Sequence, residues 1–349
     1  MCMKLIKLEI ITPVHNRKNF TLQCLRSLQN ADQSGLDVHI IVVDDGSTDG
    51  TSEAIRLQFP FVEIIKGDGN LWYTAGTNRG IQAALIRKPD YILAINNDQV
   101  FHAQALQRLI LCARQNRKAI IGALLLDWNR PEYVMATGAR WDTLYGGWRH
   151  PQSLTAWNVP RDAWEVEIIV GNCVLYPIEV IEQEGLMNEV ALPMYGDAEY
   201  TPRLRRAGWK LLIESRAYVW CQPNTSPPSL RTLSIKEILN ALIFNQKNSY
   251  NLITGFRSHW EGAPSHLSGL MAYIIRIFRL VLHSLGLGGR WPAWPDNGYF
   301  VHEGASLLDY QDFTQALVTL DSLKDMTAGE GAKLRLPYGR DKNENVETI

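Results

Sequence analysis

Short runs of β-branched and aliphatic residues alternate with longer segments of helical periodicity between Leu8 and Leu125. This alternation predicts βαβ units around a mostly parallel sheet. The predicted strands are Leu8–Thr12, Val38–Val43, Val62–Ile65, Tyr91–Ile95 and Ala119–Leu124. The predicted helices are Asn19–Gln29, Thr51–Gln58, Ala75–Arg87 and Ala103–Asn116, with Asp49 and Thr51 as candidate N-caps and Pro89 as a stop signal. We therefore expect a doubly wound α/β domain.

The pattern changes after this first part. Leu126 to Glu165 is rich in tryptophan, glycine and arginine and has little periodicity, which predicts loops and short strands folded over the sheet. Val166–Tyr176 reads as a further strand and Pro177–Glu184 as a helix. A polar turn then leads into a second helix that ends at Gly208.

The chain changes character again near Pro227–Pro228. Residues 230–290 hold seven Lys/Arg and two acids, an excess of five positive charges. We expect a catalytic domain at 1–227, a helical, basic extension at 228–338 and a flexible, charged tail at 339–349.

Within the extension, Leu267–Leu287 places its apolar residues on one helical stripe, and Arg276, Arg279 and His283 on another. It is not predicted to span a membrane, because each mid-segment arginine would cost about 2.5–3.5 kcal/mol at a bilayer centre. Two interpretations stay open. The stripe lies on an anionic membrane surface, or it packs on the catalytic domain or on a second subunit in a homodimer.

Composition narrows the class of protein. With 46% hydrophobic and 20% charged residues, the chain is typical of globular proteins. Its net charge of −1 provides no overall electrostatic attraction to nucleic acid. The five cysteines are scattered and form no C-x-x-C pair, so neither a disulfide framework nor a zinc site is expected. The N-terminal sequence lacks a signal-peptide pattern, and we expect a cytoplasmic protein.

Polar clusters follow three of the predicted strands: TPVHNR, DDGSTDG and NND. Because ligands of such sheets bind beyond the carboxyl ends of the strands, these clusters are expected to form one pocket. No P-loop and no G-x-G-x-x-G follows the first strand, which disfavours an NTPase or an NAD-binding protein.

The acidic residues of these clusters each allow two interpretations, one as a ligand-binding group and one as a structural group. Asp44 and Asp45 can accept hydrogen bonds from a ribose or a base, or they can belong to a turn that caps the next helix. Asp98 can ligate Mg²⁺ or Mn²⁺, or it can be a helix N-cap.

Five motifs in this order, TPVHNR, VVDDGSTDGT, GNLWYTAGTNRG, INNDQV and YGDAEYTPRLRRAGW, resemble family-two glycosyltransferases with the GT-A fold over residues 6–220. GNLWYTAG and NND more specifically resemble rhamnosyltransferases. The resemblance implies an inverting transfer of a hexose or deoxyhexose from a UDP-, dTDP- or GDP-linked sugar to a glycan or lipid-linked acceptor.

The resemblance also implies roles for single residues. Asp98 would hold the divalent cation, and Asp197 would be the general base that takes the acceptor proton. Thr12 and Asp45 would contact the nucleobase. The implied nucleotide-sugar site comprises Thr12, Pro13, Asn16, Asp44, Asp45, Asn78 and Asn97, with Trp72, Glu199 and Arg203 as further contacts to donor or acceptor.

Two positions depart from the family pattern. Gly196 replaces the first acid of the E-D pair, and Cys221–Gln222 stand where many relatives carry a metal-binding histidine. Asp197 and Glu199 can also simply begin a helix and pair with Arg203 and Arg206.

A catalytically silent nucleotide-sugar-binding or scaffold protein is therefore the alternative. A sugar nucleotidyltransferase is less favoured, since no N-terminal glycine-rich phosphate loop is present. The remaining tryptophans, Trp128, Trp141, Trp148 and Trp157, are expected to serve packing.

Overall fold

The computed structural model describes residues 4–151, 154–156, 159–222, 230–246, 248–284 and 286–287. Its strands are β1 (Ile6–Val14), β2 (Leu36–Asp44), β3 (Glu63–Lys66), β4 (Tyr91–Ile95), β5 (Gln99–Phe101), β6 (Ala119–Asp127), β7 (Val134–Ala136), β8 (Gly138–Asp142), β9 (Gly147–Arg149), β10 (Trp164–Glu165), β11 (Ile168–Ile169), β12 (Cys173–Pro177) and β13 (Lys210–Cys221). All five strands predicted for the first part of the chain are confirmed.

The helices are α1 (Lys18–Asn30), α2 (Thr51–Gln58), α3 (Trp72–Ala84), α4 (Ala105–Gln115), α5 (Ile178–Glu184), α6 (Asp197–Arg206), α7 (Ile235–Leu239), α8 (Leu252–Gly262) and α9 (His266–Ser284). A 3₁₀ turn, Leu85–Arg87, extends α3 up to the predicted stop at Pro89. The predicted N-caps of α2 are wrong, because Gly50 in the left-handed conformation takes that position. Asp49 instead binds the first helical residue, accepting a hydrogen bond from the Thr51 N–H at 3.1 Å.

One mixed sheet runs in the order β10-β13-β6-β12-β4-β1-β2-β3, and outside this order β5 pairs with β13 and β7 pairs with β6. The segment from β4 to β3 is parallel throughout. Strand β12 then lies antiparallel between β4 and β6, and β6 pairs in parallel with β13. Both halves of the chain up to Cys221 therefore share a single hydrogen-bonded sheet.

Alternate residues of the central strands bury opposite faces of this sheet. Ile11 and Val43 belong to one core cluster, whereas Ile10 and Val42 belong to the other. Because both faces are covered, these strands read as nearly continuous hydrophobic runs. Helix α3 approaches β1 so closely that a Cβ on Gly80 would lie 2.3 Å from Ile11 Cγ2, which only glycine permits.

The tryptophan-rich segment forms short strands, as its irregular pattern predicted, and two of them, β8 and β9, join β11 in a small second sheet of order β11-β8-β9. Trp141 and Trp148 pack edge to face at 5.1 Å, and Trp141 also contacts His259 of α8. Trp128 is buried against Phe20. These tryptophans serve packing, as expected, and Trp157 lies outside the described residues.

The basic extension begins with short helical turns and continues as the α8–α9 hairpin, which packs against α6 and β9. The predicted helix over Leu267–Leu287 is confirmed as α9. Within the described part of the chain, no helix is both long and apolar enough to cross a bilayer. The predicted boundary at Pro227–Pro228 and the predicted tail at 339–349 lie outside that part.

Candidate active site

A cavity of about 340 Å³ opens where β1, β2 and β4 end. It is lined by Pro13, Val14, His15, Arg17, Asp45, Gly69, Trp72, Tyr73, Asn96, Asn97, Asp98 and Met194. All three polar clusters of the sequence contribute to it, so the expected single pocket is present. A larger groove of about 780 Å³ lies at the other end of β1 and β2 and contains none of the predicted site residues.

Asp45 holds the floor of the cavity together. Its Oδ1 accepts a hydrogen bond from the Gly69 N–H at 2.7 Å, and its Oδ2 accepts from the N–H groups of Leu71 and Trp72 at 2.9 and 3.0 Å. Trp72, the first residue of α3, has a left-handed φ of 58°. Three backbone donors on one carboxylate fix both the loop before α3 and the place of the Trp72 ring.

Asp44 is next in sequence but faces away from the cavity and is fully buried. It accepts hydrogen bonds from Lys66 Nζ at 2.7 Å, from the Ser47 N–H at 2.9 Å and from Ser52. Burial alone would raise the pKa of Asp44, but these hydrogen bonds outweigh it and lower the pKa to about 2. Asp44 thus fixes the DDGSTDG turn from beneath.

Two more predicted residues lie beside the cavity rather than in its lining. Asn16 Oδ1 accepts a hydrogen bond from the Thr48 N–H at 3.0 Å, which ties the first polar cluster to the second. Thr12 is buried within β1 just before the lining begins. Both residues therefore adjoin the residues that line the cavity without lining it themselves.

Asn78 is buried in α3, away from the cavity lining. Its Nδ2 donates to the Met187 carbonyl and to Glu189, both at 2.9 Å, and its Oδ1 accepts from the Met187 N–H at 3.1 Å. The Asn78 side-chain amide therefore binds the loop between α5 and α6 through both its nitrogen and its oxygen. These hydrogen bonds all go to protein groups, although the resemblance implied a place for Asn78 in the nucleotide-sugar site.

Asp98 lines the cavity from the short turn between β4 and β5. Arg17 Nη1 donates to Asp98 Oδ2 at 2.6 Å across the cavity mouth, and Asn97 Nδ2 donates to Thr21 Oγ1 at 2.8 Å. Burial raises the pKa of Asp98, and the Arg17 charge offsets part of that increase. The Asp98 carboxylate is thus buried, and the guanidinium group is its cationic partner.

The donor set at Asp98 fits a divalent cation of the Mg²⁺ or Mn²⁺ type. One carboxylate with neighbouring amides suits a hard cation that takes its other oxygens from diphosphate and water. The guanidinium group of Arg17 shows that the position accepts positive charge. Among the described residues, no cluster of three His, Cys, Asp or Glu side chains forms a complete metal cage.

The segment that replaces the family histidine does lie at Asp98. The Gln222 N–H donates to the Asp98 carbonyl at 3.1 Å, and Cys221 is fully buried next to it. Burial, together with the charge of Asp98, raises the pKa of the Cys221 thiol well above its usual range. A neutral, buried thiol is a poor ligand for a hard cation, so Cys221 does not replace the histidine as a ligand.

Asp197 begins α6 beside the cavity wall. Its Oδ2 accepts a hydrogen bond from the Gly171 N–H at 2.9 Å, and the Gly171 carbonyl in turn accepts from Tyr73 Oη at 2.7 Å. Tyr73 lines the cavity, so Gly171 and Tyr73 together connect Asp197 to it. Burial raises the pKa of Asp197, and the Gly171 hydrogen bond offsets only part of the increase.

The packing around Gly196 accounts for the missing first acid. A Cβ at this position would lie 2.7 Å from both Thr74 Oγ1 and Thr74 Cγ2, and 3.1 Å from Met187 Sδ. The Gly196 N–H also donates to Thr74 Oγ1 at 3.1 Å. A carboxylate side chain has no room here.

Glu199 and Arg203 form an i,i+4 ion pair. This agrees with the interpretation that Glu199 lies at the start of a helix and pairs with an arginine of the same helix. Arg203 also donates to the carbonyls of Glu184 and Leu186, at 2.7 and 2.8 Å. Neither residue lines the cavity. Their contacts fasten α6 to the loop after α5.

Arg17, Tyr73, Asn96 and Met194 are among the lining residues that were not candidates from the sequence. Arg17 and Asn96 belong to the recognised clusters TPVHNR and NND, so membership of a cluster was an available signal. His15 also lines the cavity, and its Nδ1 lies 2.6 Å from the Asp45 carbonyl. Met194 had no sequence signal, because only the path of the chain before α6 places it there.

Residues 9–183 match the model of a family described as glycosyl transferase family 2. An N-acetylglucosaminyl-diphospho-decaprenol L-rhamnosyltransferase of Mycobacterium tuberculosis is 26% identical over 250 residues, which cover 65% of this chain and 78% of the relative. A poly(ribitol-phosphate) beta-glucosyltransferase of Bacillus spizizenii is 30% identical over 118 residues, which cover 33% of this chain and 18% of the relative.

Among solved structures, GalNAc-T7 with UDP, GalNAc and Mn²⁺ aligns with a TM-score of 0.51 at 13% identity. The alignment covers 81% of this chain and 57% of that one. At this identity the likeness concerns the fold, and it agrees with the GT-A expectation.

Replacing Asp44 by Asn should remove an acid-sensitive part of the stability. Because the folded-state pKa of about 2 lies below the unfolded value of 3.8, the carboxylate stabilises the protein above pH 3.8, and this is lost as the pH falls through 2. We expect Asp44→Asn to lower the free energy of unfolding by about 2 kcal/mol at neutral pH and to flatten its decline in acid. Urea unfolding across pH checks this. The control is Asp37→Asn, an exposed acid on the same strand.

Replacing Arg17 by Ala should leave the buried Asp98 carboxylate without its cationic partner. We expect a loss of about 1 kcal/mol in unfolding free energy at neutral pH, since Arg17 itself is half exposed. The loss should shrink as the pH falls and Asp98 takes up a proton. Urea unfolding of a double-mutant cycle with Asp98→Asn measures the pair. An equal loss in both backgrounds would show that the pair contributes nothing.

Proposed function

Since the chain belongs to glycosyl transferase family 2, we propose that this glycosyltransferase inverts the anomeric centre of a hexose or deoxyhexose that it takes from a nucleoside-diphosphate sugar. The observation that supports the proposal best is the arrangement of three carboxylates. Asp45 and Asp98 line one cavity, and Asp197 adjoins the same cavity through Tyr73 and Gly171. Donor binding, leaving-group binding and proton removal thus have one candidate residue each.

Asp45 and Trp72 form the proposed nucleoside end of the site. The Asp45 carboxylate is held by three backbone donors, so it meets a base or ribose without reorganising. Thr12, Pro13 and Asn97 complete this end in the proposal, with Asn16 and Asp44 supporting its turn. We assign Asn78 a positioning role, because its amide is taken up by Met187 and Glu189.

Asp98 is the proposed ligand for Mg²⁺ or Mn²⁺ at the diphosphate end. When bound, such a cation neutralises the charge that develops on the departing nucleoside diphosphate. Arg17 adds a guanidinium group at the same end of the cavity, where it can contact diphosphate oxygens once it releases Asp98.

Asp197 is the proposed general base. It accepts the proton of an acceptor hydroxyl while the hydroxyl oxygen attacks the anomeric carbon and the bond to the diphosphate breaks. Burial raises the pKa of Asp197 toward the working pH, which makes it a stronger base than an exposed aspartate. Gly171 holds the carboxylate in place through its N–H.

The proposed acceptor is a glycan or a lipid-linked molecule, and the proposed donor is a sugar linked to UDP, dTDP or GDP. The name of the mycobacterial relative, which includes a diphospho-decaprenol acceptor and an L-rhamnosyl group, supports a lipid-linked acceptor and a deoxyhexose. We further propose a cytoplasmic site of action with peripheral contact to the inner face of the plasma membrane. The four described cysteines, all buried and unpaired, agree with a reducing compartment.

The domain arrangement is part of the same proposal. Residues 1–227 form the catalytic domain, and 228–338 form a helical extension. The packing of α8 on α6 supports a close association between the two.

Calorimetric titration with UDP, dTDP and GDP, each with Mn²⁺, tests the site. We expect one nucleotide to bind only with the cation, and we expect Asp98→Ala to weaken that binding at least tenfold because the cation loses its protein carboxylate. Asp197→Asn should bind the same nucleotide unchanged. Asp37→Asn is the matched control on the exposed side of β2. If none of the three nucleotides bound, the proposed donor site would be wrong.

Turnover separates an enzyme from a silent binding protein. Asp197→Asn should lower sugar transfer, or slow donor hydrolysis by water, by about 10²–10⁴-fold with the donor affinity intact. Its amide keeps the size and the acceptor oxygen of the carboxylate, so folding is preserved. Nucleotide binding by the unaltered chain without any sugar release would favour the catalytically silent protein.

A further inference from the structure

Gly171 connects Tyr73, in the lining of the cavity, to Asp197 through both of its backbone polar groups. Its carbonyl accepts a hydrogen bond from Tyr73 Oη at 2.7 Å, and its N–H donates to Asp197 Oδ2 at 2.9 Å. Gly171 lies in the connection between β11 and β12. A change at the tyrosine hydroxyl therefore reaches the carboxylate through a single residue.

The three residues are in direct contact. A Cβ on Gly171 would lie 2.5 Å from Tyr73 Oη and 2.8 Å from the Asp197 Cβ, closer than real side chains approach. Only glycine therefore fits between the hydroxyl and the Asp197 side chain. Tyr73 and Asp197 thus enclose Gly171 on the side where a side chain would otherwise be.

The Gly171 N–H is the donor on which the Asp197 carboxylate depends most. Burial raises the pKa of Asp197, and the backbone N–H groups of Gly171, of Asp197 itself and of Ala198 oppose the increase. The Gly171 N–H has the largest opposing effect. The other two belong to α6, whereas Gly171 binds the carboxylate from outside that helix.

Tyr73 is itself fixed on two sides. It is the second residue of α3, and the start of that helix is bound by the Asp45 carboxylate. The next residue, Thr74, donates its N–H to the Pro193 carbonyl at 3.0 Å and its Oγ1 to the Leu192 carbonyl at 2.6 Å. The tyrosine is thus held both to the end of β2 and to the segment before α6.

Tyr73 is not suited to take the acceptor proton itself. Burial, together with the charge of Asp197, raises the pKa of Tyr73 above its usual value, so the phenol stays neutral. Its hydroxyl proton is bound to the Gly171 carbonyl. A neutral hydroxyl in such a bond can orient its neighbour but cannot act as a base.

We propose that Tyr73 is a positioning residue that, through Gly171, holds the Asp197 carboxylate in place for proton transfer. This inference rests on the proposed role of Asp197 as the general base. The same tyrosine side chain lines the cavity. The geometry of the base is therefore set by a residue of the cavity wall.

Loss of the Tyr73 hydroxyl should raise the pKa of Asp197. The Gly171 carbonyl would lose its donor, and the Gly171 N–H would be less firmly directed at the carboxylate, which disfavours the charged form. Two further phenols, Tyr176 of β12 and Tyr195 before α6, interact electrostatically with Asp197, and burial raises the pKa of both. Both stay neutral, so a shift in Tyr73→Phe is assigned to the bonds through Gly171.

Glycine amide NMR of the full chain measures this shift without any substrate. Gly171 and Gly196 adjoin Asp197, so the ¹⁵N-glycine signals whose pH response disappears in Asp197→Asn report its ionisation. We expect Tyr73→Phe to raise the midpoint of that response by about 0.5 pH unit, the scale of one weakened hydrogen bond. Phenylalanine keeps the aromatic ring, so the packing of α3 is preserved.

The matched control is Tyr200→Phe. Tyr200 Oη donates to the Gly185 carbonyl at 2.7 Å, so this variant loses the same kind of hydrogen bond from the helix that carries Asp197. The Gly185 N–H donates to the Ile181 carbonyl and not to Asp197. The control should leave the midpoint unchanged. An unshifted midpoint in Tyr73→Phe, or an equal shift in Tyr200→Phe, would overturn the proposal.

The pH dependence of turnover applies the same test to catalysis. A carboxylate base loses activity as the pH falls through its pKa, so a higher pKa moves this loss to higher pH. We expect Tyr73→Phe to shift the acid limb of the kcat profile upward by the amount seen in the NMR titration. The plateau should fall about tenfold, because a misoriented base transfers the proton less efficiently. A lower plateau without a shifted limb would contradict the proposal and assign Tyr73 to packing alone.

The two measurements separate this inference from the proposed function. A shifted NMR midpoint in Tyr73→Phe, with full turnover by Asp197→Asn, would support the link between Tyr73 and Asp197 and contradict the general base. Lost turnover in Asp197→Asn, with neither midpoint nor limb shifted in Tyr73→Phe, would leave the base in place and overturn the positioning role.

Discussion

The three hydrogen bonds that Asp45 accepts are the contact on which the candidate site depends most. They join the end of β2 to the first turn of α3, and they hold Trp72 in a left-handed conformation that a bulky residue otherwise avoids. Asp44 secures the same turn from the other side through Lys66. The two adjacent carboxylates therefore have different roles, because Asp45 faces the cavity and Asp44 faces the protein interior. Trp72 and Tyr73 form one wall of the cavity. Without Asp45, the first turn of α3, which carries both residues, would lose the hydrogen bonds that fix its position.

Much of this could be predicted from periodicity. The central strands, α1 to α4 and the meeting of the three polar clusters follow from local pattern and from the rule that parallel strands present their carboxyl ends at one edge. The positions of Asn78 and Arg203 could not be predicted, because their backbone partners lie at the end of α5 and in the loop after it, outside the helices that carry these two residues. Gly196 shows the same limit. The sequence showed only that an acidic residue of the family pattern is missing at this position. The short distance between a Cβ at Gly196 and the Thr74 side chain shows that no side chain fits there.

The C-terminal extension shows why amphipathicity alone leaves the orientation of a helix open. The sequence places apolar and basic residues on different sides of α9 and gives no direction for either. Carbonyl groups of Ser249 and Tyr145 determine the outcome, because they give the buried guanidinium groups of Arg276 and Arg279 their hydrogen bonds. An apolar side in contact with water is the result.

Strand β12 has a consequence for how substrates enter and leave. It is hydrogen-bonded to β4 on one side and to β6 on the other, so the parallel part from β4 to β3 and the part that carries α6 belong to one continuous sheet. A hinge between them would have to break this ladder, which makes opening and closing as two rigid lobes energetically costly. Any movement that admits or releases ligands is then expected in the connecting segments above the strands, such as the one that holds Met194. The sheet would act as a rigid frame for these loops.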